Sequence, residues 1–222
     1  LSKADVETIA NVYGSLVAAN SVEFKSIGLA KQTKDRNERV YLESVISEFE
    51  GRLGNSRLSE GDWQRFLQQY ILLFNTSYVA AVEKLSVDLR GKYPDFILAN
   101  VYGYLDIYEI KKPSTPLLKH DSSRDNYYWD PEVSKAITQT EKYVQMLIRK
   151  SADVREIMHE KHNLEVKVVR PRGYIIVGNS AQLENQKMED DFRLLASALK
   201  NVDLILYDEL LGNLQNLLAR LA

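Results

Sequence analysis

The stretch PDFILANVYGYLDIYEIKK, residues 94–112, reads as two short strands around a turn. Pro94 precedes the apolar run Phe96–Leu98, and Asn100-Val101-Tyr102-Gly103 has the composition of a turn. Tyr104–Lys111 alternates, carries Tyr, Leu and Ile, and is ended by Pro113. Folding the ribbon near Tyr102 sets Asp95 opposite Glu109. Residues i and i+2 on a strand share a face, so Lys111 joins them. Opposed residues have Cβ atoms about 5 Å apart, and opposed like charges destabilise a ribbon unless something compensates them. A divalent cation is the simplest compensation. Two carboxylates and a backbone carbonyl such as that of Ile110 suit Mg²⁺ or Mn²⁺, which prefer hard oxygen ligands. Such an ion acidifies a water and offsets charge on a phosphodiester oxygen. Lys111 would orient that water or stabilise the developing charge. The same three residues also fit an ordinary surface hairpin with a cross-strand salt bridge.

Glu-x-Lys occurs three times, at Glu23–Lys25, Glu109–Lys111 and Glu165–Lys167. The pattern alone therefore discriminates nothing. Glu23 lies near the end of a helical leader, and Glu165, on an expected strand, has no Pro-Asp-bearing partner strand before it. Glu109 is distinguished by Asp95 at the start of the preceding strand.

Outward from this ribbon, residues 3–20 and about 35–53 read as helices, with Val40, Val45, Ile46 and Phe49 near one face of the second. Gly51 and Gly54-Asn55-Ser56 punctuate the chain. The expected division is a helical segment over 1–55, the end of a regulatory region or an assembly element, and a domain over 56–222. In that domain a helix runs from Ser59 to about Phe74, and Tyr78–Leu89 is a strand. Residues 113–130 read as a long loop, and residues 131–160 as one helix with Pro131 in its first turn. Leu164–Val169 and Gly173–Val177 read as strands, Met188–Leu199 as a helix, Val202–Leu206 as a buried strand, and Asp208–Leu221 as a closing helix. Strands interleaved with helices in this way predict an α/β layered fold.

Composition bounds the chemistry. The 222 residues are 45% hydrophobic and 27% charged, ordinary for a globular chain that buries a core. There is no cysteine, which excludes disulfides, thiolate zinc sites and cysteine nucleophiles, and fits a reducing cytoplasm. No apolar run approaches the roughly 20 residues that span a bilayer, so no membrane partner is expected. The opening LSKADVETIANVYG lacks the pattern of a signal peptide. The start at Leu1, without methionine, is what a fragment of a longer chain would show. A net charge of −2 gives no whole-chain attraction to nucleic acid, yet residues 111–172 hold 13 Lys/Arg against 9 Asp/Glu.

The helix after the ribbon contributes Gln139 and Tyr143, an i, i+4 pair on one face. Pro94-Asp95, Glu109-Ile110-Lys111 and Gln139-x-x-x-Tyr143 together resemble the PD-(D/E)xK nuclease superfamily, with the QxxxY helix of its RecB-like branch. The blocks PDFIL, LDIYEIKKPSTPLL, RDNYYWDPEVSKAITQTEKYV, RPRGYIIVGNS and DDFRLLASALKNVDLILYDELL resemble the Shedu nucleases, prokaryotic anti-phage and anti-plasmid defence proteins, across about residues 59–222.

The resemblance implies a restriction-endonuclease-like core, a central mixed sheet flanked by helices, and Mg²⁺-dependent cleavage of double-stranded DNA by a homo-oligomer. Carried over by position, it gives Asp95 and Glu109 as metal ligands, Lys111 as catalytic lysine, and Gln139 and Tyr143 as supporting residues. An acidic residue from the first core helix often joins the metal in this superfamily. Glu60 is preferred to Asp62 for that place, although acids at helix starts are commonly caps. The alternative is the same fold holding DNA or a partner protein without cutting.

Arg124, beside Tyr127, Tyr128 and Trp129, and the pair Arg170 and Arg172 are candidates for phosphate contact; the first cluster equally fits packing of the loop onto the core, and the pair fits solvated charge. Asp106 alternates to the far face of its strand. His159 and His162, near a helix end, lack the further ligands that a zinc site needs.

Overall fold

A computed structural model of the chain describes Thr8, residues 24–83 and residues 93–220, with side chains from residue 36 onward. Two compact units divide the chain, Ile46–Leu217 and a second built on Leu1–Val45 with Leu218–Ala222. The sheet and every candidate site residue lie in the first. The helix expected over residues 3–20 falls, but for Thr8, outside the described residues. Helix α1 covers Phe24–Leu53, and α2 covers Glu60–Phe74. A capping box starts α2: Ser59 Oγ accepts from Asp62 N while Asp62 Oδ2 accepts from Ser59 N.

Three strands follow, β1 (Tyr78–Glu83), β2 (Phe96–Asn100) and β3 (Leu105–Ile110). They form an antiparallel meander. The remainder of the strand expected to reach Leu89 lies outside the described residues. Asn100 closes the β2–β3 turn with its side chain, Oδ1 accepting from Tyr102 N at 2.9 Å and from Tyr104 N at 3.0 Å. Gly103 occupies the left-handed region at φ 81, and a Cβ there would press on the Glu165 carbonyl.

Residues 113–130, expected as a loop, contain a hairpin of β4 (Leu118–Asp121) and β5 (Asn126–Trp129). Its turn is tied by Asp121 Oδ1, which accepts from Ser123 N and Oγ. The single helix expected over 131–160 is two, α3 (Pro131–Arg149) and α4 (Ser151–His162), broken at Lys150. Leu164–Val169 is not a strand. It makes one bridge, Lys167 to Tyr104, before Arg170 turns the chain at φ 47. Then come β6 (Gly173–Ile176), α5 (Gln186–Ser197), β7 (Val202–Ile205) and α6 (Tyr207–Arg220).

The main sheet has the order β1-β2-β3-β6-β7, antiparallel through β3 and parallel from β3 to β7. It is a mixed α/β sheet flanked by helices. Leu105, Ile107, Ile97, Ala99 and Val82 pack beneath Tyr143, Val144 and Leu147 of α3 and Val154 and Met158 of α4. Farther along α3, Val133 and Ala136 cover Ile175 and Val202. The helix α2 lies against β1 and β3. Its Trp63 and Phe66 join Phe49, Phe74 and Tyr207 in a group of edge-on rings, with Trp63 and Tyr207 centroids 4.7 Å apart.

Candidate active site

The register Phe96↔Tyr108 and Ile97↔Ile107 sets Asp95, one step out, opposite Glu109. The parallel neighbour β6 holds the next residue of the ribbon, since Lys111 N donates to Ile176 O at 2.8 Å. The acids and the lysine therefore gather at the carboxyl end of β3, next to the first parallel pair. In open α/β sheets, this end of the strands is where ligands bind.

Each side chain has an identifiable support. Asp95 Oδ2 accepts from Ile110 N at 2.8 Å, and its Oδ1 accepts from Gln64 Nε2 at 2.6 Å. Lys111 Nζ lies 3.0 Å from Glu109 Oε1 and 3.4 Å from Glu60 Oε1. The Lys111 carbonyl accepts from the buried Tyr207 hydroxyl at 2.7 Å, which fixes the chain where the strand ends. Asp62 is spent on the capping box and on Arg65, whereas Glu60 reaches the lysine.

Glu109 is only 3% exposed, and its Oε2 is buried without a hydrogen-bond partner. Burial first, and then the neighbouring Asp95 carboxylate, push its pKa up to about 7, against the pull of Lys111. For Lys111, burial presses the ammonium toward neutrality. Glu109, Glu60 and Asp95 together outweigh that, and its pKa stands above the ordinary lysine value. The lysine is accordingly a cation throughout the neutral range.

From α3, Gln139 Nε2 donates to the Tyr143 hydroxyl at 2.8 Å. Burial raises the Tyr143 pKa, and the charges of Glu109, Asp95 and Lys111 act on it. The donor set suits a hard divalent cation. It offers carboxylates at one point, one of them with a buried oxygen lacking a partner. Among the described residues no group of three or more His, Asp or Glu side chains is already gathered as a metal cage.

Other sequence candidates lie elsewhere. Arg124 is exposed in the β4–β5 turn. Arg172 stands before β6, at the opposite end of the sheet, with Nε 2.8 Å from Asp203 Oδ2, and Arg170 precedes it. Asp106 faces away from the site and accepts from the Tyr78 hydroxyl at 2.7 Å and from Arg172 N at 2.7 Å. Glu165, of the third Glu-x-Lys, is exposed and pairs with His159 at 2.8 Å. Sequence reasoning overlooked Gln64 and Tyr207. The signal for Gln64 was present, because it follows Glu60 by four residues and shares its helix face. Nothing in spacing points to Tyr207, which arrives from the far end of the chain.

The family described as Shedu protein SduA, C-terminal, matches residues 57–211, which include Glu60, Gln64, Asp95, Glu109, Lys111, Gln139, Tyr143 and Tyr207. The Shedu protein SduA of Bacillus cereus (strain B4264) is 27% identical over 201 residues, 86% of this chain and 51% of that protein. The chain thus spans about half the length of this curated relative. With the family match extending over most of the chain, from α2 into α6, the protein belongs to the Shedu SduA C-terminal family.

Proposed function

We propose that this chain is a metal-dependent endonuclease with a restriction-endonuclease-like PD-(D/E)xK core, cutting double-stranded DNA in prokaryotic defence against phage or plasmids. The observation that carries the reading is the buried Glu109, with one oxygen unpartnered, set opposite Asp95 and 3.0 Å from Lys111. A salt bridge made only for stability would leave no buried carboxylate oxygen orphaned.

Asp95 and Glu109 would hold Mg²⁺, or Mn²⁺ in its place, with Glu60 as a further oxygen donor. When bound, such an ion acidifies a water and offsets charge on the phosphodiester. The protein's own groups do the rest. Gln64 and Ile110 N fix the Asp95 carboxylate. Lys111, a cation at neutral pH, stabilises the charge developing on the phosphate or orients the water. Gln139 and Tyr143 present an amide and a phenol at the border of the same volume.

Supercoiled plasmid is the direct test. Nicking or linearisation should appear with Mg²⁺, vanish with chelator, and vanish in Lys111→Ala, whose fold is retained by circular dichroism. Cleavage by a clean preparation of that variant would refute the mechanism. The rival reading, a nuclease fold that holds DNA or a partner without cutting, draws on the lysine already neutralising Glu60 and Glu109. It predicts a thermal melt indifferent to Mg²⁺. The nuclease reading predicts Mg²⁺ stabilisation that is lost in Asp95→Ala. Residues 1–55 would serve regulation or homo-oligomer assembly, and deletion of residues 1–45, which spares the buried Ile46 and Phe49, should change the oligomer size in solution.

A further inference from the structure

The exposed side of α3 carries Lys135, Lys142 and Arg149, each seven residues from the next. Seven residues are close to two helical turns, so the three lie along one stripe about 21 Å long. Of the exposed positions between them, Thr138 and Gln145 are polar and uncharged and Ile148 is apolar. One acid of the helix offsets part of the stripe, since Glu132 pairs with Lys135 at 2.6 Å, while Glu141 accepts from Asn201. Lys142 and Arg149 make no ion pair among the described residues. Gln139 and Tyr143, the supporting residues of the candidate site, border the same surface depression as the three cations.

We infer that Lys142 and Arg149, with Lys135, form a track that holds the phosphate backbone of duplex DNA and leads it to Lys111. The inference rests on the nuclease reading for its choice of occupant. One strand of a duplex carries a phosphate every 3.4 Å of axis, so a stripe of about 21 Å spans roughly six nucleotides. The side chains are long and flexible, and they sit among uncharged neighbours. That suits sequence-independent contact with phosphates. The track also places the duplex on the α3 side of the sheet, away from Arg172, which is engaged with Asp203.

The experiment measures binding of a fluorescent duplex to the chain in chelator-containing buffer, across a salt series. Lys142→Gln and Arg149→Gln should each reduce the slope of log K against log salt by about 0.9. The double variant should reduce it by about twice that. Arg193→Gln, which removes an equal charge from α5, should leave the slope unchanged. Unchanged slopes in the stripe variants would overturn the track, as would an equal fall in Arg193→Gln. Equal losses toward a poly-glutamate peptide would also overturn it, in favour of an acidic protein partner. Because metal is absent, the outcome is separable from catalysis. A chain that binds with the full slope but never cuts defeats only the nuclease reading. One that cuts with unaltered slopes in the variants defeats only the track.

Discussion

Gln64 Nε2 donates to Asp95 Oδ1 at 2.6 Å, across 31 residues of sequence, and so ties α2 to the acid that begins β2. The opposite oxygen of that carboxylate is held by Ile110 N, one residue past Glu109. The two bonds set the direction in which Asp95 presents itself. Groups that orient a metal-binding carboxylate typically alter affinity 10- to 100-fold when removed. Gln64→Ala should therefore weaken Mg²⁺ binding, read by calorimetry, by about that factor. Cleavage should largely recover at saturating Mg²⁺. A lowered melting temperature with an unchanged Mg²⁺ requirement would reduce Gln64 to a packing residue.

The raised pKa of Glu109 has a definite sign for stability. It stands at about 7 in the folded chain against an ordinary 4.5. Between those values the folded state keeps a proton that the unfolded state has released. Its contribution is full below pH 4.5 and is lost as pH rises through 7, a swing on the order of 3 kcal/mol. Lys111, raised from 10.5, acts only in the alkaline range and does not overlap. Urea unfolding without metal should show wild type losing stability from pH 5 to pH 8 relative to Glu109→Gln. Parallel pH profiles for the two proteins would remove Glu109 as the source.

Tyr207 links the last helix to the site, its hydroxyl donating to the Lys111 carbonyl from a fully buried position. Burial raises its pKa well above the ordinary phenol value, so it remains a donor across the neutral range. Tyr207→Phe leaves that carbonyl without this donor and should cost about 1–3 kcal/mol in denaturant unfolding. Stability equal to wild type would mean that water or another donor replaces the phenol.

The ribbon at 94–112 was legible because its signals are local. A proline, an Asn-x-x-Gly turn and runs rich in Leu, Ile and Tyr mark its two strands, and the register between them sets Asp95 against Glu109. The α2 start was legible for the same reason, through Ser59. What sequence concealed was set by distant partners. The β4–β5 hairpin has four-residue strands in a stretch rich in Pro, Asp and Ser, and it is fixed from outside. Tyr127 N donates to Asp191 of α5, and Trp129 meets Phe192. At Lys150 the helical pattern continues across a break that only the backbone reveals, at φ −107 and ψ 29. Leu164–Val169 alternates like a strand, yet only Lys167 finds a ladder partner. Among the site residues, Asp95, Glu109 and Lys111 follow from one ribbon. Gln64 and Tyr207 depend on how α2 and α6 pack.

The contact between Gly173 and Thr140 sets how closely α3 approaches the parallel strands, and it yields a test by coupling. Thr140 is fully buried, one residue past Gln139 on the helix that bears Tyr143. A Cβ at Gly173 would overlap Thr140 Cγ2, while Thr140 Cβ would remain at 3.6 Å, an ordinary contact. Gly173→Ala should cost about 1–3 kcal/mol, the usual penalty of overpacking a core. It should also push Gln139 and Tyr143 outward, with a fall in cleavage at saturating Mg²⁺. Thr140→Ala alone removes a hydroxyl that has no partner, and so should cost little beyond its lost methyl. In the double variant the added Cβ occupies the vacated space. Stability should then recover to near that of Thr140→Ala, a coupling of about 1–3 kcal/mol in a double-mutant cycle. Additive losses in that cycle would show that the added Cβ is opposed by neighbours other than Thr140, such as Val202, and not by the approach of the helix.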